Sequence, residues 1–214
     1  MRAVHEHEFE VAPGLPAPLP KDEHILWQGS PDWKRMAVDV FHIRKIAFYF
    51  LVMLVVQWAD LYASGVTWRD WLMPCLTSVL LAGLALITIA AWAWLSARTA
   101  LYTITDRRVV MRVGIVLSLT FNLPYKRLVA ADLRVLTQGC GDIALRLAAE
   151  DQIGFFHLWP HAKGLEIKRP LPTLRCVPDA QAVGDLLVAS WRQRHHVSVQ
   201  PATAMQHNPV FQNA

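Results

Sequence analysis

The sequence predicts an α+β membrane protein: a two-helix transmembrane hairpin, then an antiparallel β-sheet or small barrel capped by a carboxy-terminal helix. Three observations carry this reading. Leu72 to Ala97 holds no charged residue. Beyond Arg98 the apolar period changes from helical to alternating. Near the end, Val183, Leu186, Leu187 and Trp191 return to spacings of three and four. Composition agrees: the 214 residues are 54% hydrophobic and only 18% charged, where a soluble domain averages about 25% charged. This composition excludes a largely disordered chain. The net charge of +4, from 21 basic and 17 acidic residues, is too mild to argue for nucleic acid. Three cysteines without a C-x-x-C make a disulfide framework or a structural zinc site unexpected.

The first 33 residues form a proline-rich arm, punctuated by Pro13, Pro16, Pro18, Pro20 and Pro31. Its acidic residues Glu6, Glu8, Asp22 and Glu23, and its lack of an apolar core, argue against a signal peptide. VAPGLPAPLP is expected to be extended. Ile25-Leu26-Trp27, ended by Gly29-Ser30-Pro31, suits a brief strand. Lys34–Arg44 suits a helix leading into the first span, with Met36, Val40, Phe41 and Ile43 on the membrane surface.

The membrane hairpin is placed at 34–98, with spans at about 46–63 and 72–97. The 26 residues from Leu72 to Ala97 would reach ~39 Å as a helix at ~1.5 Å per residue, enough for a core of ~30 Å. In the other span Ile46–Val56 is wholly apolar, and Asp60 reads as a marker of the interface. Trp58, Trp68 and Trp71 cluster around the connecting loop, and Trp92 and Trp94 near the far end, as an aromatic belt does. Lys34, Arg35, Arg44 and Lys45 precede the spans, and Arg98, Arg107, Arg108 and Arg112 follow them. The positive-inside rule then puts both termini in the cytoplasm.

From 99 to 194 the pattern is that of a cytoplasmic β-module. Leu101–Thr105 and Val109–Val113 flank a tight turn at Asp106-Arg107-Arg108. Ile115, Leu117, Leu119 and Phe121 alternate as a third strand. Leu133–Thr137 reads as another, followed by a turn at Gly139-Cys140-Gly141-Asp142 and the alternating Ile143, Leu145 and Leu147. Glu150-Asp151-Gln152 makes the next turn, before Ile153–Trp159. Pro178 and Asp179 suit the start of the last helix. Strands closed by one helix over roughly 80 residues are the layout of a pleckstrin-homology-like domain. The tail 195–214 lacks a period and is expected to be disordered.

Chemistry is sparse. His157 and His161 stand four apart in HLWPH, but Pro160 argues against the helix that would align them on a metal. Cys140, between two glycines, is expected to be exposed, without an identifiable base. No nucleotide-binding or hydrolase signature is present, no cofactor is expected, and no enzyme is indicated. No histidine lies between Ile46 and Ala97 to ligate a pigment metal. Arg107, Arg108 and Arg112 form the densest basic cluster and are candidate contacts for anionic head groups. Ala82, Gly83 and Ala85 would permit close approach of a partner helix. Trp27 and Trp33 of the arm are further candidate contacts.

EFEVAPGLPAPLPKDEHILWQGSPDW (8–33), YTITDRRVVMRVGI (102–115), FNLPYKRL (121–128), GCGDIAL (139–145), FFHLWPHA (155–162) and LRCVPDA (174–180) together resemble the PuhB family. These are photosynthetic-complex assembly proteins of purple bacteria. The resemblance implies a non-catalytic assembly factor for the reaction centre and its core light-harvesting complex. It implies reaction-centre and core antenna polypeptides as partners, and a place in the inner or intracytoplasmic membrane. It supplies no catalytic residues. The alternative function is a PH-like module that binds anionic membrane lipids through Arg107, Arg108 and Arg112.

Overall fold

The computed structural model describes residues 15, 18–65, 67–136, 139–148, 153–163 and 170–199. Most of the proline-rich run, Thr137 of the expected strand, the turn Glu150–Gln152 and residues 200–214 lie outside them. The arm delivers strand β1 (Ile25–Gly29). Asp32 then caps a single helical turn, α1 (Trp33–Arg35), accepting hydrogen bonds from the Lys34 and Arg35 amides. A π-turn follows at Met36–Val40, and the left-handed His42 (φ 54°) breaks the helix before α2 (Ile43–Ala63). The expected continuous helix over Lys34–Arg44 is therefore three pieces. Helix α3 (Trp68–Thr99) returns antiparallel to α2. Both helices are long and apolar enough to cross a membrane.

Two antiparallel four-stranded sheets follow. In the first, β1 pairs with β2 (Leu101–Thr105), β2 with β3 (Arg108–Val113), and β3 with β4 (Leu119–Pro124). A single 3-10 turn, Tyr125–Arg127, crosses to the second sheet. That sheet has the order β5 (Leu128–Val135), β6 (Gly141–Leu147), β8 (Leu171–Val177) and β7 (Ala162–Lys163). Between β6 and β7, one helical turn, α4 (Phe155–Leu158), ends before Pro160. Helix α5 (Ala180–Val199) closes the module. It runs five residues into the segment expected to be disordered.

The core lies between the two sheets and under α5. Tyr102, Ile104, Val109, Met111 and Leu123 from the first sheet meet Ile143, Leu145 and Leu174 from the second, and Val183 and Leu187 cover them. Strand alternation makes this possible, because each strand turns every second side chain inward. One expectation fails here. Ile115–Ser118 is a loop, not a strand, and pairing resumes at Val113↔Leu119. The cause is Gly114: its φ of +123° suits only glycine, and a Cβ there would collide with the Leu117 carbonyl.

Candidate functional site

The helical hairpin and the β-module meet at a small root built from segments far apart in sequence. Met36 from the π-turn is completely buried against Ala97 of α3 and Cys176 of β8, with Val40 and Phe41 packed around them. Met36 therefore faces protein, not the membrane surface. Its place follows from the Asp32 amide, which donates to the Cys176 carbonyl at 3.0 Å and seats the arm on β8. Trp159 reaches the same root from the loop after α4. Its ring meets Phe41 edge-on at 5.8 Å and Trp92 of α3 at 6.2 Å. Two polar atoms here, Asp39 Oδ2 and Ser96 Oγ, are buried without a hydrogen-bond partner among the described residues.

Behind the root lies a buried polar network. Tyr102 hydroxyl and His161 Nδ1 are 2.6 Å apart, and the Arg175 amide donates to the same hydroxyl oxygen at 3.2 Å. Burial, reinforced by the Arg175 guanidinium, drives the His161 imidazole down to about 3. His161 is thus neutral at physiological pH, and the consistent assignment has Tyr102 donating to Nδ1. Burial also pushes the Tyr102 hydroxyl far up. Arg175 reaches Asp142 Oδ2 at 2.7 Å and the Ala162 carbonyl at 2.6 Å, while Asp142 Oδ1 accepts from the Cys176 amide at 2.9 Å. The segments of Asp142, Ala162 and Arg175 are tied by charge-assisted bonds, and Tyr102 of β2 joins them through neutral ones. Nothing in this network is an activated nucleophile. Burial pushes the Cys176 thiol up to about 12, with Asp142 adding to the effect, and pushes the Cys140 thiol up too. Cys140, expected to be exposed, is buried. Its loop folds in because Gly141 packs directly against Ala180 and the Arg134 carbonyl.

A second lock holds the arm at the opposite end of the first sheet. Buried Glu23 accepts from Arg108 Nε at 2.7 Å, from Arg108 Nη2 at 2.8 Å and from Thr105 Oγ1 at 2.8 Å. Arg107 Nη2 donates to the Asp22 carbonyl at 2.8 Å. This geometry is that of an internal clamp, in which the two arginines hold the arm.

A family model described as a bacterial PH domain matches residues 41–190. The chain belongs to the bacterial PH domain family. The match starts after the arm, so β1 is an element beyond the matched part of this bacterial PH domain. The chain is also 35% identical, over 188 residues and 86% of each chain, to an uncharacterized 23.7 kDa protein in the puhA 5′ region of Rhodobacter capsulatus. A solved protein with a pleckstrin-homology domain from Shewanella loihica is similar at 10% identity, TM-score 0.29, over 43% of this chain and 71% of that one.

The candidate contact residues scatter over the structure. Arg107 and Arg108 stand at the far turn of the first sheet, in the clamp, and Arg112 lies at the other end of β3, paired with Leu101. Trp27 packs against the core, and Trp33 is 40% exposed beside the root. Ala82 is buried within the hairpin, whereas Gly83 has open space around it. Ala85 is half-buried. His157 is exposed and His161 is engaged with Tyr102, so the two do not act as a pair. Among the described residues no three His, Cys, Asp or Glu side chains gather as a metal site. Glu23, Asp142 and Arg175 were invisible as site residues. Their nearest partners lie 82, 33 and 13 residues away, and no local spacing encodes such pairings.

Proposed function

We propose that the chain is a non-catalytic membrane assembly factor for the photosynthetic reaction centre and its core light-harvesting complex. The hairpin crosses the inner or intracytoplasmic membrane twice, both termini face the cytoplasm, and the PH-like module holds a partner's soluble portion. Reaction-centre or antenna polypeptides would dock along the helices at Gly83 and Ala85, where small residues permit close approach.

The observation that carries this reading is the relative in the puhA 5′ region, matched over 86% of both chains. The PuhB resemblance, which rests on motifs from the arm to the last helix, supports the same reading. The structure adds a physical rationale. None of the most apolar stretch of α2 is buried inside the protein, so this surface needs lipid or another helix as its solvent. The root fastens the hairpin to the module through Met36, Trp159 and the Asp32–Cys176 bond. A partner bound in the membrane and one bound at its surface would thus be held in a fixed relation.

Deletion of the gene, followed by an absorption spectrum of the membranes, tests the proposal. The expected result is a specific loss of core-complex bands with pigment synthesis intact. A normal spectrum would overturn it. The alternative, lipid binding through Arg107, Arg108 and Arg112, is weakened by the engagement of the first two with the arm.

A further inference from the structure

The first sheet has two ends with opposite chemistry. At the far end, the β2–β3 turn is made by Asp106 and Arg107. At the near end, the β3–β4 turn is made by Gly114-Ile115-Val116-Leu117-Ser118. Turns ordinarily draw on Gly, Pro, Asn, Asp and Ser, yet here Val116 is 91% exposed and Leu117 79%. The register fixes which end this is. Gly29 pairs with Tyr102, and Leu101 with Arg112. The chain leaves Gly29 for the hairpin and returns from it at Leu101. The apolar tip therefore projects from the same end of the sheet as α2 and α3. The tip begins beyond Val113↔Leu119, one pair past the last pair of β2. Close to where α3 ends, Arg98 lies over the Trp94 ring at 5.1 Å, an aromatic and basic pair of the kind that sits at a bilayer interface.

The geometry points to a third membrane contact: Val116 and Leu117 form a short apolar finger that dips into the boundary between head groups and acyl chains beside the end of α3. This rests on the proposed reading that α2 and α3 span the membrane. Lipid is the occupant the observations favour. The finger stands at the end of the sheet from which the apolar hairpin departs, and two side chains are too small a patch for a stable protein interface, which buries about 1,200 Å² or more. Gly114 gives the finger its shape, since only glycine accepts that backbone and spares the Leu117 carbonyl. The contact would fix the module's tilt on the membrane, with the hairpin as one support and the finger as the other.

The test is a nitroxide at Val116→Cys in the full chain, reconstituted in vesicles of phosphatidylcholine and phosphatidylglycerol. Lys126→Cys, at the far end of the sheet, is the aqueous reference and Leu84→Cys the bilayer reference. Cys75, Cys140 and Cys176 are buried, and the unsubstituted chain gives their background. The expected ratio of oxygen to nickel-complex accessibility at Val116→Cys lies several-fold above that at Lys126→Cys. A Val116→Cys label as nickel-accessible as Lys126→Cys, with Leu84→Cys deep in lipid, overturns the finger and leaves the hairpin reading standing. A nickel-accessible Leu84→Cys overturns both. Protection at Val116→Cys from both reagents, relieved by diluting the protein in lipid, assigns the tip to a second copy and also overturns the finger.

Discussion

Leucine meets opposite fates in the two halves of this molecule. Leu81 in α3 is 67% exposed, whereas Leu174 in β8 is wholly buried. In the β-module every strand has an inward face, and water drives the apolar side chains onto it. In the hairpin most large apolar side chains are exposed or half-buried, and full burial within α2 and α3 is confined to Cys75, Ala82, Ala93, Ser96 and Ala97 of α3. These small residues permit close helix contact, which is how helices pack when lipid replaces water. The same residue type thus stabilises one half from within and awaits a solvent in the other. Substitutions in the two halves should differ accordingly.

The largest effect is expected where the module buries charge. Arg175→Met leaves Asp142 buried without its ion pair, and losing one partner of such a pair costs about 3–5 kcal/mol. The urea midpoint of the module, followed by tryptophan emission in detergent micelles, should fall steeply. The double variant Arg175→Met with Asp142→Asn should recover part of the loss. Full recovery to the starting midpoint would show that the network contributes nothing to stability. At the root, Met36→Ala opens a cavity against Ala97 and Cys176 and should cost about 2–5 kcal/mol. Both halves should loosen together, read as faster amide exchange in β8 and in the last turns of α3. Exchange confined to β8 would mean that the root does not couple them.

Much of this arrangement is legible in the sequence because it is local. The uncharged run from Leu72 announces α3, and the alternation at Leu101–Thr105 and Val109–Val113 announces the first strands, since each pattern needs only near neighbours. The alternation at Ile115–Phe121 misleads for the same reason. Its first half is a turn imposed by the backbone of Gly114, which apolar spacing does not register. Met36 and Cys140 look exposed because their cover comes from remote segments. The pairs Tyr102 with His161 and Glu23 with Arg108, separated by 59 and 85 residues, exist only once the fold is complete.

The arm clamp should respond more modestly. Glu23→Gln keeps the shape but removes the charge that Arg108 and Thr105 address, and a hydrogen bond to a charged group contributes about 1.5–3 kcal/mol. Amide exchange in β1, Ile25–Gly29, should accelerate while β3 stays protected. Equal acceleration in both strands would show the clamp to be part of the global core.

His161 makes the module sensitive to acid. Its folded value of about 3 lies below the ordinary 6.5, so between these the unfolded chain takes up a proton that the folded chain refuses. Stability therefore falls as pH drops through this window, by up to about 1.4 kcal/mol per unit, and the contribution is flat above it. His161→Gln should reduce the slope of the urea midpoint against pH between about 6 and 4. An unchanged slope would mean that His161 is already charged in the folded state.

The smallest effect belongs to the half whose apolar surface has no partner. Leu81→Ala removes a large side chain of the same type as Leu174, yet its surroundings in the isolated chain are solvent, so no cavity forms. The unfolding free energy in micelles should change by under about 0.5 kcal/mol, while Leu174→Ala should lower it by about 2–5 kcal/mol. The order reverses if a partner helix covers Leu81. In membranes that contain the assembling complex, Leu81→Ala would then weaken recovery of the chain with that complex while leaving its own fold intact. A large loss of stability from Leu81→Ala in the isolated chain would instead place that side chain inside the protein. The contrast between the two halves would then fail.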